Sequence, residues 1–136
     1  MAVPNGYQPG QGEKFMNPVM REYFRQKLLH WKGELVREST ETIQHLQEEF
    51  LHEADIADRA SAETDRSLEL RTRDRERKLI SKIDAALSRI EEGSYGYCDE
   101  TMEPISLQRL EARPIATLSI EAQERHERME RTYRGA

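Results

Sequence analysis

The sequence predicts a mainly α protein: a long antiparallel coiled-coil hairpin on a small globular base that carries a degenerate zinc-finger-like segment and a C-terminal helix. Three observations lead there. Apolar residues recur at helical spacing in two long runs joined by a short polar connection. Only 36% of the 136 residues are hydrophobic against 35% charged, which is too little apolar surface for one large core. The chain's one cysteine, Cys98, sits in a segment spaced like a finger that has lost its other ligands.

Residues 1–16, rich in Gly and Pro, read as a flexible N-terminal tail that packs on the base. The hairpin is expected over 17–92. Asn17 can cap free N–H groups and Pro18 at the first helical position gives up no hydrogen bond. Phe24, Leu28, Trp31 and Leu35 then follow at spacings of four, three and four, and Ile43, Leu46 and Phe50 resume the stripe. This helix should run to about Leu51, roughly 50 Å at the helical rise. Leu79, Ile83, Ala86 and Ile90 mark a second helix, with Leu68 upstream in the same stripe and Gly93 and Gly96 ending it. Two such helices with a short link pair most economically as an antiparallel hairpin, its tip near 53–60. Residues 93–118 form the finger-like globular segment, punctuated by Pro104 and Pro114, and 119–136 form a charged helix with Ile120 and Met129 as its apolar points.

A four-cysteine zinc ribbon needs two C-x-x-C pairs so that four thiolates converge on one tetrahedral ion. Here the companion of Cys98 is Thr101, and the later pair is Ser119 and Ala122. Structural zinc is therefore not expected; a small core of Tyr97, Cys98, Met102, Ile105, Leu107 and Leu110 is. His30, His45, His52 and His126 are scattered and expected to face solvent. No nucleophile–base pair, phosphate-cradling loop or metalloprotease motif is visible, so the protein is not expected to be an enzyme.

Net charge is −5, which argues against a general nucleic-acid coat, but the charges are segregated. From Arg37 to Asp65 there are nine acidic residues against two basic; from Arg71 to Lys82 there are six basic against two acidic. The tip sequence "DIADRAS" offers Asp55 and Asp58. One reading makes Asp58 the cap of the second helix; the other delivers the carboxylates into a partner's deep site. Arg71, Arg75, Lys78 and Lys82 fall in one helical stripe, either a solvated face supported by Glu69–Arg73 and Asp74–Lys78 pairs or a surface for an anionic partner.

Taken together, "DIADRAS", "SLELRTRDRERKLISKI", "YGYCDETMEPISLQRLEARP" and the closing charged helix resemble the DksA/TraR family of bacterial RNA polymerase regulators, over roughly residues 17 to 136. The resemblance implies a hairpin inserted through the polymerase secondary channel, acting on initiation and open-complex stability with the alarmone ppGpp in the stringent response, without direct DNA binding. It places the family's tip motif on Asp55, Asp58 and Ala60, and ppGpp-binding positions on Arg75, Leu79, Lys82 and Arg113. Gln123 stands where that site has a third basic residue. Against the family's four zinc-binding cysteines this chain keeps only Cys98, so the resemblance implies a zinc-independent variant held by apolar packing, by hydrogen bonds from Thr101 and Ser119 and by the anchoring of the last helix. Two other readings are a coiled-coil adaptor with no polymerase role and a Gre-like factor whose tip carboxylates hold magnesium for transcript cleavage. No apolar run is long enough to cross a membrane and the N-terminus lacks a secretory core, so a monomeric cytoplasmic protein is expected.

Overall fold

The computed structural model describes residues 2–134 except 53–55; residues 46, 49–52, 56–62 and 134 are described by their backbone alone. Among the described residues there are four helices: α1 (Pro18–His52), α2 (Ile56–Glu92), α3 (Leu107–Ala112) and α4 (Ile120–Arg134). The chain divides into two compact units, Met1–Leu28 with Ala85–Ala136, and Leu29–Asp84.

Helix α1 starts where the sequence indicates. Asn17 Oδ1 accepts from the Met20 N–H at 3.0 Å, the N-cap bond that supplies one of the donors a helix start leaves free. Helix α2 ends as expected at Gly93, whose φ of +85° suits a residue without a Cβ. Gly93 N–H donates to Ile90 O at 3.3 Å and Ser94 N–H to Arg89 O at 3.0 Å, the paired bonds of a Schellman stop.

In the Leu29–Asp84 unit, α1 and α2 run antiparallel, tied by Lys32 to Asp84 at 2.7 Å and by His45 to Glu69 at 2.7 Å. Leu35 and Ile83 are buried. The expected apolar stripe on α2 does not continue to Leu68, which is 54% exposed. The reason is the seven-residue frame of the seam: Ile90 and Ile83 are followed, at the same spacing, by Glu76 and Glu69. Leu68 lies one residue off that frame, about 100° around the helix. Glu69 therefore turns to His45 on the facing helix instead of serving the expected pair with Arg73.

Glu76 takes a core position, being only 7% exposed. Its Oε2 has no hydrogen-bond partner among the described residues. Burial, reinforced by Glu38, raises its pKa above the usual carboxylate value against the opposing pull of Arg75.

In the other unit, Met20, Phe24 and Leu28 of α1 and Ala86 and Ile90 of α2 are buried together with Tyr95, Cys98, Ile105, Leu110 and Ala122. Phe24 meets Tyr95 at 5.6 Å between ring centroids, and the Tyr95 hydroxyl donates to Pro114 O at 2.8 Å. The N-terminal residues lie on this core: Tyr7 packs edge-on against Tyr23, and Phe15 against Tyr97. Gly96 makes the second contact possible. Its φ is +90°, and a Cβ there would meet Met16 Cε at 2.9 Å.

Glu76 generates a pH prediction. A carboxyl whose folded pKa lies above its unfolded value supports folding fully below the unfolded value, and that support is lost as pH rises through the folded one. Glu76→Gln keeps the shape and cannot ionise. The variant is expected to gain on the order of 1 kcal/mol over wild type at neutral pH and to lose that advantage towards pH 4. Denaturant unfolding of both proteins across this range checks it.

Candidate functional site

The segment after α2 is built by backbone hydrogen bonds around Cys98. Tyr97 and Pro104 form an isolated antiparallel bridge, Cys98 N–H donates to Glu103 O at 2.8 Å, and Met102 N–H donates back to Cys98 O at 2.9 Å. Met102 has φ +61° and is 75% exposed, so it is a turn residue and not the core residue expected from sequence. The left-handed conformation is one that turns use, and here it leaves the Met102 side chain in solvent. Cys98, Ile105 and Leu110 are fully buried as expected, while Tyr97 and Leu107 are half-buried.

Asp99 N–H donates to Thr117 O at 2.9 Å, which brings the chain entering α4 alongside this turn. Ser119 caps α4: its Oγ accepts from Ala122 N–H at 3.2 Å. Thr101 Oγ1 accepts from Glu103 N–H at 3.3 Å. The four positions with finger spacing thus hold a thiol, two hydroxyls engaged in turn and cap bonds, and the buried methyl of Ala122. That donor set does not fit tetrahedral zinc, which takes thiolate, imidazole or carboxylate ligands. Among the described residues no three His, Cys, Asp or Glu side chains converge as a metal site would require.

Burial works against ionisation of Cys98. The Thr101 hydroxyl and the backbone N–H groups of Ser119, Thr101 and Glu100 outweigh it and bring the thiol down to about 6.

The described histidines are partly exposed, and each meets a carboxylate: His30 with Glu34 at 3.1 Å, His45 with Glu69, and His126 with Glu100. His52 belongs to the residues described by backbone alone.

The basic stripe is present as the spacing indicates. Arg71, Arg75, Lys78 and Lys82 are all exposed on α2, and Leu79 beside them is half-buried. Arg71 and Arg75 line a shallow depression with Leu68 and Thr72, so the leucine that leaves the seam joins the basic face. Arg75, Leu79 and Lys82 belong to one compact unit, Arg113 and Gln123 to the other. Arg113 is exposed; it ends α3, its N–H donating to Arg109 O at 2.7 Å. The Gln123 side chain donates to Glu127 Oε1 at 3.3 Å.

At the tip, Asp55 lies outside the described residues. Asp58 and Ala60 lie within α2, which begins at Ile56, and their side chains are outside the description. Asp58 is thus the third residue of the helix, not the residue capping it. The stretch "DIADRASAE" has no Gly or Pro and three alanines, so nothing delays helix formation to Asp58.

A family model described as the DnaK suppressor protein DksA N-terminal domain matches residues 20–90, and one described as the prokaryotic dksA/traR C4-type zinc finger matches residues 93–128. The chain belongs to the DksA/TraR family. It is 69% identical over 128 residues to a protein of Caulobacter vibrioides named RNA polymerase-binding transcription factor DksA, covering 94% of this chain and 90% of the relative. The protein of the same name from Escherichia coli K12 is 44% identical over 115 residues, 85% of this chain and 76% of that one. The solved structure of transcription factor DksA2 from Pseudomonas aeruginosa is similar at a TM-score of 0.82 and 44% identity, covering 91% of this chain and 94% of the other. The family's zinc-finger model therefore extends over a segment of this chain that has one cysteine.

The Cys98 thiol can be titrated directly. Thiolate absorbance in the folded protein is expected to reach its midpoint near pH 6, against about 8.5 for an unfolded cysteine. A lowered folded pKa gives stability that is present above the unfolded value and lost as pH falls through the folded one. The cost of Cys98→Ala measured by denaturant unfolding should accordingly be larger at pH 8.5 than at pH 5.5.

Proposed function

We propose that this protein is an RNA polymerase-binding transcription regulator, entering the secondary channel with its hairpin and altering open-complex stability during initiation together with ppGpp, as part of a stringent response. The observation that carries the reading is 69% identity across 94% of the chain to a relative named for polymerase binding. It acts by binding, as a cytoplasmic monomer, and makes no direct contact with promoter DNA. No helix among the described residues is long and apolar enough to cross a membrane.

In this reading the tip residues Asp55, Asp58 and Ala60 approach the polymerase catalytic centre. Arg75, Leu79, Lys82 and Arg113 meet ppGpp where the factor adjoins polymerase. Exposure of Arg75, Lys82 and Arg113 supports a role in contacting an anion. Gln123 brings no positive charge, so ppGpp is held by fewer charge-assisted hydrogen bonds. The base folds without structural zinc, its finger positions being Cys98, Thr101, Ser119 and Ala122.

Pull-down of core polymerase, followed by initiation assays with and without ppGpp, tests the proposal. Co-purification with a change in open-complex lifetime is expected; failure to bind core polymerase would leave a coiled-coil adaptor, and stimulated transcript cleavage a Gre-like factor. Asp58→Asn should retain polymerase binding and lose most of the effect on initiation, since it removes the charge and keeps the shape.

Two substitutions separate the ppGpp assignment from the polymerase assignment. Lys82→Ala should weaken the ppGpp response by about tenfold or more in titration midpoint, the scale of one charge-assisted bond. Gln123→Lys should strengthen it. An unchanged midpoint in Lys82→Ala would make the basic stripe a docking face and not a ligand site.

A further inference from the structure

A zinc finger uses its ion to cross-link two distant pieces of chain, here the turn at 98–101 and the start of the last helix. In this protein the four ligand positions cannot make that link, yet the two pieces are in contact. Ser119, Ala122 and His126 follow at spacings of three and four, so they share one face of α4 and its cap. Ser119 caps the helix, its Oγ accepting from Ala122 N–H at 3.2 Å, and Ala122 is fully buried. One turn further on, His126 Nε2 pairs with Glu100 Oε1, a residue of the turn itself.

We infer that the Glu100–His126 pair is the side-chain cross-link that takes the place of the metal, fastening α4 to the Cys98 turn one helical turn beyond the lost ligand position. The two partners come from the two segments that a metal would join. Neither stands at a C-x-x-C position, so the link has moved from the ligand sites to their neighbours. Both side chains are partly exposed, at 48% for His126 and 37% for Glu100, so solvent screens the pair and its effect is local. Its task is to hold the first two turns of α4 against the turn; the buried face of Ala122 alone presents only a methyl for that purpose.

The test uses the full chain, with amide hydrogen exchange read peptide by peptide. His126→Leu should speed exchange of the amides of α4 by roughly two- to fivefold, the range of one exposed ion pair, with the α1–α2 seam at residues 64–84 unchanged as internal control. His126→Lys should restore protection, since its ammonium can donate a hydrogen bond to Glu100 in place of the imidazole. Glu100→Lys should expose α4 as His126→Leu does, and Glu100→Lys with His126→Glu should recover it. Zinc binding is read in parallel by native mass spectrometry and by exchange in chelator. Unchanged α4 exchange in His126→Leu would overturn the inference. So would one zinc per wild-type chain whose removal frees α4, because Cys98, Glu100 and His126 would then be metal ligands and the cross-link a metal after all. None of these outcomes depends on polymerase or ppGpp, so the result stands apart from the functional proposal.

Discussion

One narrow apolar stripe on α1 supplies both compact units. Met20, Phe24 and Leu28 are buried in the unit that contains the finger-like segment, and Leu35 is buried in the other. A chain in which charged residues nearly equal hydrophobic ones has few side chains to spend on burial, and it places them at positions where one helix face meets successive neighbours. Loss of packing on this stripe is expected to be felt widely, because Phe24 contacts Tyr95 and Tyr95 in turn binds Pro114.

Along α2 the seven-residue frame passes from Ile90 and Ile83 to Glu76 and Glu69, and the source of cohesion changes with it. The first part is held by apolar burial; the second depends on a buried carboxyl and on the His45–Glu69 pair. Polar seams contribute less than apolar ones, because charges taken from water must recover their hydration through partners. The 64–76 stretch should therefore open locally at lower free energy than the 83–90 stretch. The same rotation that buries Glu76 and half-buries Glu69 turns Leu68, Arg71 and Arg75 outward onto one surface, so a weak seam and an accessible basic face have one geometric origin.

The finger-like segment is laced together by backbone hydrogen bonds. The bridge between Tyr97 and Pro104, the Asp99–Thr117 bond and the Ser119 cap satisfy the backbone groups of the turn. Burial opposes ionisation of the remaining thiol, and the neighbouring groups of Thr101, Ser119 and Glu100 outweigh it and lower its pKa.

The helices were legible in the sequence because their signals are local. Asn17–Pro18, the four-three-four spacing of Phe24 to Leu35, and Gly93 depend on nearest neighbours and on helical geometry, and the structure follows them. The misfit of Thr101, Ser119 and Ala122 to zinc was likewise legible, being a matter of donor chemistry. Leu68 and Met102 depart from what hydrophobicity suggests for different reasons. Leu68 lies off the seven-residue frame set by Ile83 and Ile90. Met102 sits in the turn after Cys98 at φ +61° and is 75% exposed. For Asp58 the capping reading, one of the two that the tip sequence allows, fails because α2 already includes Ile56 and Ala57. The partnership of His45 with Glu69 and that of His126 with Glu100 were decided by tertiary structure alone, because each joins residues far apart in the chain whose meeting depends on how the helix faces turn towards each other or towards the turn.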